Sequence, residues 1–178
     1  MKAKTFLLLS FIFLLFSSYG QTNSNSKKTA FYGGIGAGFD YGGLGFKVEY
    51  LPVKNIGIFA GGGYNLAELG YNGGLSWKIS PKKSWTPILV AMYGYNAVLI
   101  AKSSFGMADF KKTYYGFTAG GGCDFSVGKK NNKVSLTVFV PFRSRAFADK
   151  YDFYKSISYD FNPDIFPFTL SIGFNVGG

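Results

Sequence analysis

Histidine is absent from all 178 residues, which removes the most versatile general base and the commonest metal ligand together. Ser–His and Cys–His nucleophile pairs, Asp–His hydrolytic pairs and His-ligated metal sites are all out of reach. The lone Cys123 cannot close an internal disulfide. It shares parity with Phe117, Ala119 and Phe125 and reads as a small apolar residue. Nine acids remain. Asp149, Asp152, Asp160 and Asp164 fall in one polar stretch where water can solvate them, and no spacing among the acids suggests acid–base work. No enzymatic activity, cofactor or metal is expected.

Two groups of residues stand above this background. Lys47, Glu49, Lys78, Asp124 and Lys133 share one parity in their segments and lie near the same ends of them. Charges inside a narrow barrel are costly unless paired, so the set predicts a plug of ion pairs across one mouth. The alternative is a rim in water, where pairing contributes little. The second group is Arg143, Arg145, Tyr151, Phe153 and Tyr154, in a stretch from Arg143 to Asp164 that mixes aromatics with both charge signs. That composition suits a recognition surface. It also suits a hairpin extension of the seventh and eighth strands that recognises nothing, and this reading is preferred.

The elements that must position these residues are strands. Val134, Leu136, Val138, Val140 and Phe142 alternate with Lys133, Ser135, Thr137, Phe139 and Pro141. Phe166, Phe168, Leu170, Ile172, Phe174 and Val176 alternate with Pro167, Thr169, Ser171, Gly173 and Asn175. Period 2 sustained over about ten residues matches a tilted strand crossing a bilayer with its apolar face toward lipid. Eight such segments are predicted, near 30–39, 41–50, 56–65, 71–79, 85–98, 113–126, 133–142 and 165–176. Tight turns around Pro52, Pro81 and Gly128 close one end. The other end carries the longer connections 99–112 and 143–164, and one very short one around Phe39-Asp-Tyr41.

An all-β chain whose outer face is apolar on every strand needs a second layer or lipid, and no second layer is available in the sequence. In hydrocarbon only closure leaves no unpaired edge. An eight-stranded antiparallel up-and-down transmembrane β-barrel over residues 30–178 is therefore predicted. Tyr64, Tyr71, Tyr93, Tyr95, Tyr115 and Phe142 would form one aromatic belt; Tyr50, Trp77, Trp85, Phe125 and Phe174 would form the other. Many of the 25 glycines fall within strands. Facing inward, they would leave room for Tyr32, Phe59, Met92 and Phe139 in a lumen that side chains can just fill. Gly34-Ile-Gly36-Ala-Gly38 imitates half a nucleotide fingerprint, but no helix follows to receive a phosphate.

Residues 1–20 read as a secretory signal peptide: Lys2 and Lys4, then the apolar run Phe6 to Phe16, then small residues at Ser18 and Gly20. A polar segment, 21–29, precedes the first strand. Removing Lys2 and Lys4, with no acid in 1–20, lowers the net charge from +10 to +8. The lysines cluster in turns at strand ends, a placement that suits water, lipid phosphate or an acidic partner better than nucleic acid.

On strand pattern, loop alternation and the Tyr19-Gly20-Gln21 junction, the chain resembles the small eight-stranded outer-membrane β-barrel proteins, the group that includes the OmpX and OmpA transmembrane domains, with a Bacteroidetes-type cleavage junction. Members commonly close on an aromatic residue, whereas Phe174 here stands four residues from the end. The resemblance implies an outer-membrane location with outer-membrane lipid as partner. A non-enzymatic structural or surface-binding (adhesion) role for a monomer, through the outer loops and with the lumen plugged, is the expectation. The competing expectation is a soluble, secreted or periplasmic lipocalin-like barrel that holds a small apolar ligand among Ile88, Val90 and Met92.

Overall fold

The computed structural model describes residues 30–81, 84–101, 110–128, 131–156 and 166–177. The leader and the polar segment 21–29 lie outside them. The alternating segments form β1 (Ala30–Gly38), β2 (Gly43–Val53), β3 (Ile56–Tyr64), β4 (Leu69–Lys78), β5 (Trp85–Ala101), β6 (Phe110–Val127), β7 (Asn132–Pro141) and β8 (Thr169–Gly177). Each pairs antiparallel with its chain neighbour, and β8 returns to β1 from Tyr32↔Gly177 to Ala37↔Ile172. The ladder is closed and no edge strand remains.

Sidedness follows parity. The register running Tyr32↔Glu49, Glu49↔Phe59, Phe59↔Gly74, Gly74↔Met92 and Met92↔Thr118 passes only through inward positions. Residues one position away point outward and are bare: Ile35 is 70% exposed, Leu44 63% and Leu170 61%. The exterior also carries Tyr50, Trp77, Trp85 and Phe125 toward the short-turn end, and Tyr64, Tyr71, Tyr93 and Phe142 toward the long-loop end. Most of the aromatics expected in belts thus lie on the outer surface. Tyr95 does not.

Tyr95 is buried in the lumen, its ring edge-on to Phe39 at 4.9 Å between centroids. Two backbone features turn it inward. Gly94 adopts φ 156°, where a β-carbon would run into the Asn72 side chain, and the register slips between Tyr95 and Ala97, leaving Asn96 as the extra residue of a bulge. Beyond this bulge β5 and β6 continue as a paired arm up to Ala101↔Phe110, where the sequence predicts a loop over 99–112. Burial explains the extension: Ala97, Leu99 and Tyr114 of the arm pack with Phe147.

Phe147 belongs to a helix, α1 (Arg145–Ser156), which replaces the irregular loop or strand extension expected over this stretch. Ser144 caps its start, accepting the Phe147 N–H on Oγ at 3.3 Å. Phe147 and Tyr151, one turn apart, stack against each other, and Phe147 meets Tyr114 edge-on at 5.2 Å.

Candidate functional site

The lumen concentrates the polar chemistry of the chain. Glu49 on β2, Lys78 on β4, Asp124 on β6 and Lys133 on β7 reach one another because each is inward-facing and near a short-turn end. The Lys78 ammonium lies 3.0 Å from a carboxylate oxygen of both Glu49 and Asp124, and Lys133 lies 3.4 Å from the same two oxygens. Two cations and two anions thus alternate in a closed set. The remaining carboxylate oxygens accept hydroxyl donors, Ser76 to Glu49 at 2.5 Å and Ser135 to Asp124 at 2.7 Å. Lys133 also stands 3.4 Å above the Tyr32 ring.

Lys47, expected in this set, turns the other way. Its ammonium pairs with Asp40 at 2.5 Å and stands 4.4 Å above the Tyr41 ring. Asp40 and Tyr41 belong to a 3₁₀ turn, Phe39–Tyr41, that joins β1 to β2 and folds into the barrel: Phe39, Asp40 and Tyr41 are all buried, Tyr41 to 1% exposure. Asp40 also accepts from the Ser171 hydroxyl, and Asn72 Nδ2 donates to the Phe39 carbonyl and, at 3.1 Å, to that of Tyr95. The Tyr41 hydroxyl donates to Asn175 Oδ1 at 3.1 Å, and Asn175 Nδ2 donates to Ser135 Oγ at 3.0 Å. Through Asn175 and Ser135 the turn is wired to Asp124 and so to the four-charge set. Among the described residues the six charges of these two groups comprise three lysines and three carboxylates, which balance.

Three inward glycines make room for this turn. A β-carbon at Gly61 would collide with the Asp40 carbonyl, one at Gly173 with the Tyr41 phenol, and one at Gly36 would lie 2.7 Å from the Tyr41 ring. Positive φ at Gly38 (137°) and Gly42 (72°) lets the chain dive inward and return. Sequence reasoning treats Phe39–Tyr41 as a short surface loop. The signal that could have revealed it is the pairing of glycines on both sides of Phe-Asp-Tyr with a column of inward glycines on distant strands. Phe39, Phe59, Ile88, Val90, Met92, Tyr95 and Phe139 pack together as an apolar cluster in the lumen, beside buried hydroxyls such as Thr118 and Thr137.

Below the ion set, at the short-turn mouth, a cavity of about 370 Å³ opens between Tyr32, Lys54, Thr86, Ser126 and Asn131–Lys133. At the other end, the five loop residues divide. Arg143 donates to the Phe166 carbonyl at 2.5 Å and covers the Phe147 ring at 5.7 Å, and burial lowers the guanidinium pKa. Tyr151 packs on Phe147. These two hold α1 in place. Arg145 is exposed, as is Phe153, which has the Lys150 ammonium 5.6 Å from its ring. Tyr154 lies on the same helix, its side chain outside what the structure describes.

An exterior apolar on every strand and an interior filled by paired charges and aromatics define a closed, up-and-down barrel of eight antiparallel strands. The N-terminal β-barrel domain of Pseudomonas aeruginosa OprF superposes on it with a TM-score of 0.54 at 8% identity, over 86% of this chain and 100% of that domain. At this identity the likeness is one of fold. No protein-family model matches the chain, and no curated protein matches it.

Proposed function

We propose that the chain is an integral outer-membrane barrel, exported by the leader in residues 1–20, non-enzymatic and monomeric, with a non-conducting lumen. It works as a structural or surface-binding protein through its long-loop end. The carrying observation is sidedness: all eight strands turn large apolar residues outward around a charged, packed interior. In water each such Ile or Leu would forgo about 1.5–3 kcal/mol of burial, whereas in hydrocarbon the exterior matches its solvent. A soluble lipocalin-like barrel requires the opposite arrangement. Ile88, Val90 and Met92 do face inward, but they pack against Phe39, Phe59 and Phe139. The binding face would be the β5–β6 arm with α1, which presents Arg145 and Phe153 outward.

Fractionation together with gel mobility tests this. The protein is expected to require detergent for extraction from membranes and to migrate differently before and after boiling, because a closed ladder opens only on heating. Release as a freely soluble protein, or identical mobility boiled and unboiled, would overturn the membrane barrel.

A further inference from the structure

The cavity at the short-turn mouth has chemistry of its own. Its volume, about 370 Å³, falls within the range of small-molecule sites. Its floor is formed by Lys78, Asp124 and Lys133 of the four-charge set, in which each charge is neutralised by its neighbours, so the carboxylate does not repel an incoming anion. Lys54, on the wall, is exposed and has no acidic partner among the described residues. Thr86 and Ser126 add hydroxyls, and the Asn132 Oδ1 is buried with no hydrogen-bond partner. An unpaired buried acceptor and an unpaired ammonium lining one cavity suit a ligand that carries both hydroxyl groups and negative charge.

The sequence agrees with this. The three short-turn connections carry Lys54, Lys82, Lys83, Lys129 and Lys130 and no acid; of these, Lys54 lies among the described residues and the two lysine pairs lie outside them. Basic turns attract anions.

We propose that this vestibule binds a phosphate-bearing polyol of the glycerol phosphate type, carried by a lipid headgroup or free in solution. Lys54 meets the phosphate as a point charge, and Asn132, Ser126 and Thr86 meet the hydroxyls. The site lies inside the mouth of the barrel and depends on the closed fold, not on the membrane location.

The test is an amide NMR titration of the full-length mature protein in a neutral maltoside detergent. With sn-glycerol 3-phosphate, saturable shifts are expected at Thr86, Ser126, Asn131 and Asn132, with weaker binding of inorganic phosphate and none of glycerol. Lys54→Glu and, independently, Ser126→Glu place a carboxylate at exposed wall positions and are each expected to weaken binding roughly tenfold, their folding verified by unboiled gel mobility. Linear, non-saturating shifts, or equal affinity in the wild type and both variants, would overturn the site. Nanodiscs separate the two sources. If phosphatidylglycerol discs abolish the titration that phosphatidylcholine discs retain, the headgroup is the occupant, and if both retain it, the ligand is a free solute. Either pattern upholds the chemistry, and loss in both discs overturns it.

Discussion

Lys78 is the residue on which the interior charges balance, because its ammonium contacts both Glu49 and Asp124 at 3.0 Å. Lys78→Met would leave two buried carboxylates facing Lys133 alone. Removing one partner of a buried ionic set costs about 3–5 kcal/mol, and a loss of that size is expected in the urea dependence of the unboiled gel band. Adding Glu49→Gln restores the balance between Asp124 and Lys133 and should recover part of the loss. Should the second substitution deepen it instead, the neutral four-charge set is the wrong description. Gly173→Ala tests the turn above. A methyl there meets the Tyr41 phenol, and overpacking of this kind costs about 1–3 kcal/mol. The expected signature is Tyr41 becoming reactive toward nitration, from which its burial otherwise protects it.

At the scale of elements, α1 and the β5–β6 arm form a unit outside the barrel wall. Phe147 is the joint, with Ala97, Leu99 and Tyr114 beneath it and Tyr151 beside it. Phe147→Ala is expected to release the helix without opening the barrel, so that trypsin cuts after Arg145, Lys150 or Lys155 while the heat-shifted band persists in the remaining core. Ser144→Ala removes the cap and should weaken the helix by about 1 kcal/mol, giving slower cleavage at the same sites. A drop in the melting of the whole barrel on Phe147→Ala would show that the arm and the barrel are one cooperative unit. The helix was partly legible in advance. Ser144 is a good cap, and Phe147, Tyr151 and Tyr154 stand at helical spacing. What obscured it is that these aromatics also fit a strand-rich chain, and only the arm opposite them makes the helical face useful.

For the whole molecule, the proposed non-conducting lumen rests on two barriers in series. The Phe39–Tyr41 turn folds into the long-loop half, and the four-charge set crosses the interior above the short-turn cavity. Series barriers mean that opening one leaves the path shut. Planar-bilayer recording is therefore expected to find no steady conductance for the wild type, for Asp40→Ala with Tyr41→Ala, or for Glu49→Ala with Lys78→Ala. Steady conductance from the wild type would sink the closed lumen outright.

The number of strands, their order around the closed sheet and which face of each turns large apolar residues outward could all be read along the chain. Alternation is a local property, and one misplaced residue would reverse a whole strand. It also brought Glu49, Lys78, Asp124 and Lys133 to one height, because parity and distance from a turn can be counted along the chain. Where Lys47 points, the entry of Phe39–Tyr41 into the lumen, the turning of Tyr95 out of the aromatic belt and the seating of α1 on an extended arm emerge from packing in three dimensions. Each of these depends on vacant or occupied volume contributed by residues far apart in the chain: Gly36, Gly61 and Gly173 make the space that Asp40 and Tyr41 enter. Periodicity says which way a side chain leaves its strand. Whether there is room for what arrives from elsewhere is settled only when the strands close on one another.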